Sequence, residues 1–147
     1  MDWLQDKYLK AGNPQASIDE LWSLAVDDID NVRRRVAENP QTPIELLAVL
    51  SSDDNPDVRM AVAENPQAPI DVLQALANDD HADVRYSLAE NPNLPREILD
   101  ALADDENPYI SHRAQRTLRM MDPIAPTDLK PPAEGRHDSW RERRWRQ

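Results

Sequence analysis

The sequence predicts an all-α solenoid, a stack of short paired helices, and three observations predict it. Asn-Pro recurs at 13–14, 39–40, 65–66 and 91–92, always 26 residues apart. The residues around it recur as well, VAENP at 36–40 and 62–66 and LAENP at 88–92. Composition is the third: 39% apolar residues with no Phe, and thirteen Pro against two Gly. A core of Leu, Val, Ile and Ala suits thin stacked layers better than one large interior. Without insertions, the register gives units 6–31, 32–57, 58–83 and 84–109, then a half-unit from 110 to 121.

Each unit reads as two short helical segments. The first is expected to begin after Asn31, Asp57 or Asp83, each a suitable N-cap, and to run through V-R-x-x-V-A-E. Its apolar residues, for example Val58, Val62 and Ala63, share one buried side. It stops at Asn-Pro, because the residue before proline is pushed out of the α region and proline has no N–H. The second segment is expected to start near Pro43, Pro69 or Pro95, a residue suited to the first helical position. Thr42 with Glu45, and Ser17 with Glu20, have the spacing of a capping box. Ile44, Leu46, Leu47 and Leu50 then supply apolar groups, and leucine pairs recur at 21/24, 47/50, 73/76 and 99/102. Asp-rich turns at 53–54, 79–80 and 105–106 close the units.

The ends differ from the middle. The first unit is degenerate at its front, as a capping unit should be, and the closing ISHRAQRTLRM offers a poorer apolar side. Helices this short are marginal alone and one unit cannot bury its apolar face, so stacking has to do it.

The pattern V-R-x-x-V-A-x-N-P-x-x-P-x-x-x-L-x-x-L-A-x-D resembles the leucine-rich repeat variant family over roughly residues 6–121. The resemblance implies alternating α- and 3₁₀-helical segments in a right-handed superhelix without β-sheet. Some members carry a cysteine-ligated iron–sulfur cluster before the repeats. This chain has no Cys, so that property does not transfer.

Lack of Cys also excludes disulfides, thiolate catalysis and cysteine-bound zinc. The start, MDWLQDKYLK, lacks the basic and apolar regions of a leader, and no apolar run approaches a membrane span, so a cytoplasmic protein is expected. Net charge is −11. Residues 122–147 carry six basic and five acidic side chains, which leaves −12 on residues 1–121. Such a body repels phosphate backbones, so nucleic-acid binding by the repeats is not expected.

No chemistry of an enzyme is visible, and no cofactor or metal is expected. His81, His112 and His137 have no metal spacing and read as exposed or capping residues. The Asp pairs lack the alternating ligands and central Gly of a calcium loop and read as turn and helix-start acids. Arg33, Arg59 and Arg85 either meet a partner or hold layers in register by pairing with Glu38, Glu64 and Glu90 or with the Asp turns; repetition of both signs favours register.

Function is expected where the copies disagree and where they end. Tyr8, Arg34, Met60, Tyr86 and His112 occupy one register position and form a candidate stripe for a basic or amphipathic protein segment. Trp22 is a further candidate, with covering the core end as its structural reading. Residues 122–138 read as a Pro-rich linker, and 139–147, SWRERRWRQ, as a docking segment built from Trp140, Arg141, Arg143, Arg144, Trp145 and Arg146. The leading reading is a non-enzymatic protein–protein interaction module, an acidic scaffold or adaptor with this docking peptide. Two alternatives are a nucleic-acid-associated protein using the tail, and self-assembly by docking the tail on the body.

Overall fold

The computed structural model describes residues 3–122, and among them all regular secondary structure is helical. The helices are α1 (Trp3–Ala11), α2 (Ile18–Leu24), α3 (Asp30–Glu38), α4 (Ile44–Leu50), α5 (Pro56–Glu64), α6 (Ile70–Leu76), α7 (Ala82–Ala89), α8 (Arg96–Ala103) and α9 (Pro108–Met121). Odd-numbered helices are the first segments of the units and even-numbered helices the second.

Asn-Pro ends the first helices for the reason its chemistry gives. α3 and α5 stop at Glu38 and Glu64, and Asn39 and Asn65 follow in extended backbone, the conformation proline imposes on its predecessor. The starts lie earlier than the sequence suggests. Asn55, His81 and Asn107 are the N-caps of α5, α7 and α9, each accepting from the N–H two residues on. Asn31, Asp57 and Asp83 therefore lie inside their helices rather than capping them. The preceding aspartate folds the turn: Asp53 accepts from the Asn55 N–H and Asp79 from the His81 N–H, both at 2.9 Å. The chain is thereby brought into helix sooner.

The second helices also differ in detail. Pro43, Pro69 and Pro95 stand at the N-cap, one position before the helix proper. Ser17 caps α2 through the Glu20 N–H at 3.2 Å, as its spacing suggests. Thr42 does not cap α4: it is buried and its hydroxyl donates back to the Val36 carbonyl. The first turn is tight, with Leu46 N–H reaching the Pro43 carbonyl in 3₁₀ fashion, before Leu47 N–H makes the α-type bond to the same oxygen.

The leucine pairs of all four units are buried, as are Val32, Val36, Val58, Val62, Val84 and Leu88 of the first helices. These side chains form one continuous core along the stack. Successive first helices pack directly on one another, α1 on α3, α3 on α5, α5 on α7 and α7 on α9, whereas each second helix packs mainly against first helices. The first helices thus form a closely packed inner layer, and the second helices a more widely spaced outer one.

Asparagine ties the layers together. Asn39 Nδ2 donates to the carbonyls of Ala11 (2.7 Å) and Asn13 (2.9 Å) in the preceding unit. Asn65 repeats this on Ala37 (2.7 Å) and Asn39 (3.2 Å). Both are buried; the bonds to Ala11 and Ala37 satisfy carbonyls that the ends of the preceding first helices leave open, and those to Asn13 and Asn39 share oxygens that also close the loop turn. In the closing helix Thr117 holds the same position and donates to the Ala89 carbonyl at 2.6 Å. Asn91 is the exception, half-exposed and accepting from the Asn93 N–H. Leu94 is buried where Thr42 and Ala68 stand in the neighbouring units. Its N–H lies 3.4 Å from the Asn91 carbonyl, against 3.1 and 3.0 Å for Thr42 and Ala68 on their asparagines, so the larger side chain loosens this loop.

Candidate functional site

The repeated arginines are taken up within the stack. Arg33 forms a two-pronged pair with Asp53, Nε to Oδ2 at 2.7 Å and Nη2 to Oδ1 at 3.0 Å. Arg59 pairs the same way with Asp79 (2.7 and 2.9 Å) and Arg85 with Asp105 (2.8 and 3.3 Å). The third nitrogen of each reaches back to the carbonyl of Asp27, Asp53 or Asp79. One guanidinium thus clamps two successive turns, and the partner is the Asp turn rather than the Glu column. Lys7 plays the same part for Asp27 in the first unit, and Ser111 replaces the arginine in the closing helix, where the column stops. Burial alone would raise Asp53, Asp79 and Asp105, yet the guanidinium and the next N–H hold each below the ordinary carboxylate value. The Lys7 ammonium does the same for Asp27.

The predicted stripe lies on the inner, first-helix layer. Tyr8 is exposed, and it borders a shallow depression with Asn31, Arg34 and Glu38 of the next helix. Arg34 pairs with Glu38 at 2.8 Å. Met60 and Tyr86 are half-buried against the core, and His112 is exposed at the far end. Tyr8 and Arg34 are thus brought together directly, and the remaining members follow one helix at a time.

Beside the stripe runs a column that the sequence marked only as periodic: Glu38, Glu64 and Glu90. Arg35 reaches Glu38 (3.1 Å), and Arg113 reaches Glu90 (3.4 Å). The register position of Arg35 and Arg113 is filled in the middle units by Ala61 and Ser87, so no arginine from that position serves Glu64. Desolvation by its neighbours raises the Glu64 carboxyl and the negative charge of Glu38 raises it further; the positive charge of Arg34 offsets part of this, and Glu90 adds a smaller rise. At the front of the column Gly12 replaces glutamate, and the Arg35 guanidinium lies where a β-carbon at Gly12 would sit. The same Arg35 faces the Tyr8 ring, 5.4 Å from its centroid. The column is therefore neutralised at both ends and bare at its centre.

The Leucine Rich Repeat Variant domain model matches residues 5–66, and the Leucine rich repeat variant model matches 56–81 and 82–107. The chain belongs to the leucine-rich repeat variant family. The matched units open at Pro56 and Ala82, where α5 and α7 begin, so the family's unit coincides with one helix pair. No curated protein and no solved structure matches the chain. Membership makes the chain a helical-repeat scaffold.

As in any such stack, the second helices form an outer layer, and here the sequence reading missed a feature. Ile44 stands in the apolar pattern of its unit with Leu46, Leu47 and Leu50, but it is 50% exposed, and its equivalents Ile18 and Ile70 are 57% and 55% exposed. Each opens a second helix on the side away from its buried residues: in α4, Leu46, Leu47 and Leu50 centre about 110° round the helix from Ile44. Leu46 and Leu47 carry the burial instead. The signal was in the register: the fourth unit holds Arg96 at this position, a residue no core would take.

Among the described residues no helix is long and apolar enough to cross a membrane, and no group of three His, Asp or Glu residues is placed to hold a metal. His81 serves as an N-cap acceptor. Trp22 is part-exposed on α2, one turn from Ile18. Trp140, Arg141, Arg143, Arg144, Trp145, Arg146 and His137 lie outside the described residues, and so does the linker from 123.

Proposed function

We propose that this leucine-rich repeat variant protein is a non-enzymatic interaction scaffold whose inner face takes a basic, amphipathic segment of another protein. The observation that carries this reading is the bare centre of the glutamate column. Glu64 has like charges on either side, no ion pair of its own and only the partial offset of Arg34, which is itself paired with Glu38. Met60 and Tyr86 stand beside it, half-buried and so already fixed in place. An incoming Lys or Arg relieves the repulsion at Glu64, while the aliphatic part of the segment covers Met60 and Tyr86. Solenoids commonly present their extended inner surface to partners in this way.

The test is a titration of the isotope-labelled full chain with a synthetic lysine- and leucine-bearing amphipathic peptide, followed by amide NMR. Shift changes are expected to centre on Met60, Glu64 and Tyr86. Glu64→Lys is expected to weaken binding about tenfold or more, a loss of roughly 1.4 kcal/mol. Binding that leaves these resonances unmoved, or that is indifferent to Glu64→Lys, contradicts the reading. A single-stranded oligonucleotide serves as the rival probe, and the acidic inner face is expected to leave it unbound.

A further inference from the structure

We infer that the row Ile18–Ile44–Ile70 on the outer layer is the docking site of this chain's own C-terminal segment, residues 139–147. The row repeats an apolar side chain at 57%, 50% and 55% exposure, and the fold does not need it there, since the fourth unit manages with Arg96. Each isoleucine is followed by an exposed acid, Asp19, Glu45 or Asp71. Among the described residues none of these three acids is in an ion pair; on the second helices the pairs are those of Arg96, with Asp100 and Asp122. Trp22, one turn after Ile18, adds to the row, which Asp19, Glu45 and Asp71 border. Exposed apolar surface ordered in this way marks an interaction site.

The occupant is indicated by where the chain goes. Arg96 ends the row, and its Nη1 lies 3.9 Å from the carboxylate of Asp122, the last described residue. The chain therefore leaves α9 beside the end of the row. About 17 residues, 122–138, separate the end of α9 from this segment, a length whose root-mean-square reach as a flexible chain is roughly 20–25 Å. First helices in contact lie about 8–10 Å apart and the second helices are spaced more widely, so Ile70 is nearest, Ile44 is toward the limit of that reach, and Ile18 is met only through the length of the nine-residue segment itself.

The chemistry is complementary. SWRERRWRQ carries two indoles, suited to cover exposed isoleucines, and four guanidiniums against one carboxylate. Guanidinium pairs with carboxylate in a fork, so Glu45 and Asp71 are suitable partners. The inner face is less open to it, because Arg34, Arg35 and Arg113 already serve two of the three glutamates there. Tethering adds an effective concentration in the millimolar range, so even a weak intrinsic contact is occupied.

The test compares amide NMR spectra of the full chain with those of Trp140→Ala/Trp145→Ala, a change confined to residues outside the repeats. Shift changes are expected at Ile44, Glu45, Ile70 and Asp71 and not at Met60 or Glu64. In the converse variant, Ile70→Lys/Asp71→Lys, the two tail indole resonances are expected to move to their positions in the free SWRERRWRQ peptide, with far-UV circular dichroism unchanged. Tail substitutions that move nothing on the row overturn the proposal, and so does movement at Met60, Glu64 and Tyr86 instead. Sedimentation velocity is expected to show a monomer; row shifts that vanish on dilution together with a dimer assign the occupant to a second copy and overturn docking within one chain. This inference does not rest on the inner-face reading, which the basic-peptide titration tests at different residues.

Discussion

Two columns of side chains repeat along this stack with similar regularity and meet opposite fates. Arg33, Arg59 and Arg85 are each clamped between two Asp turns, largely hidden from solvent, with their charge satisfied inside the molecule. Ile18, Ile44 and Ile70 recur at the same interval and remain half-exposed beside exposed acids. Repetition in a solenoid therefore has two causes. A side chain recurs because its own neighbours need it, or because something laid along the stack meets it once per unit. The contact made, and not the recurrence, separates them.

Loss of an interior partner should produce the largest effects. Asn65→Ala removes two buried bonds to the preceding unit and leaves the Ala37 carbonyl open, so it is expected to cost about 2–3 kcal/mol in urea denaturation. Asn91→Ala, at the loosened loop, is expected to cost less than about 1 kcal/mol. Equal costs would show that the asparagine position matters for its loop and not for the seam between layers.

Acid should dissolve the clamped column selectively. Asp53, Asp79 and Asp105 are held below the ordinary carboxylate value. Their stabilisation is complete above the unfolded carboxylate pKa and lost as pH falls through the folded values. Thermal melting is therefore expected to shift downward below about pH 4. Glu64 has the opposite sign: its carboxyl is raised, so protonation relieves the folded state. Glu64→Gln is expected to stabilise slightly at pH 7, by about 0.3 kcal/mol, and to be neutral at pH 3.

The outer row should be nearly silent in stability. Ile44→Lys and Ile70→Lys are expected to change unfolding free energy by no more than about 0.5 kcal/mol each, as surface substitutions do. A loss of about 2 kcal/mol from either would place these residues with the core and remove the contrast between the two columns.

Much of the stack was legible in the sequence. Asn-Pro stops helices by local sterics, and the leucine pairs recur three residues apart on one helix side, so both follow from residue type and spacing. The arginine partners were legible only as alternatives, since Asp53 lies twenty residues beyond Arg33 and only the stacking geometry favours it over the nearer Glu38. The exposure of Ile44 was hidden for a related reason. Its spacing from Leu47 fits a buried helical side, but Leu46, Leu47 and Leu50 together centre that side about 110° round the helix from it. The inner column was readable as periodic glutamate. What distinguishes Glu64 is which neighbouring unit holds arginine and which holds alanine or serine, and that acquires meaning only once the layers are stacked.

The claim that the partnered column holds the layers in register is tested most directly by a double-mutant cycle on Arg59 and Asp79. Arg59→Ala, Asp79→Ala and the double variant would be unfolded in urea at pH 7. The clamp predicts a coupling energy of about 1–3 kcal/mol, with the double variant less destabilised than the two single costs together. Single costs that add to within about 0.5 kcal/mol would contradict it.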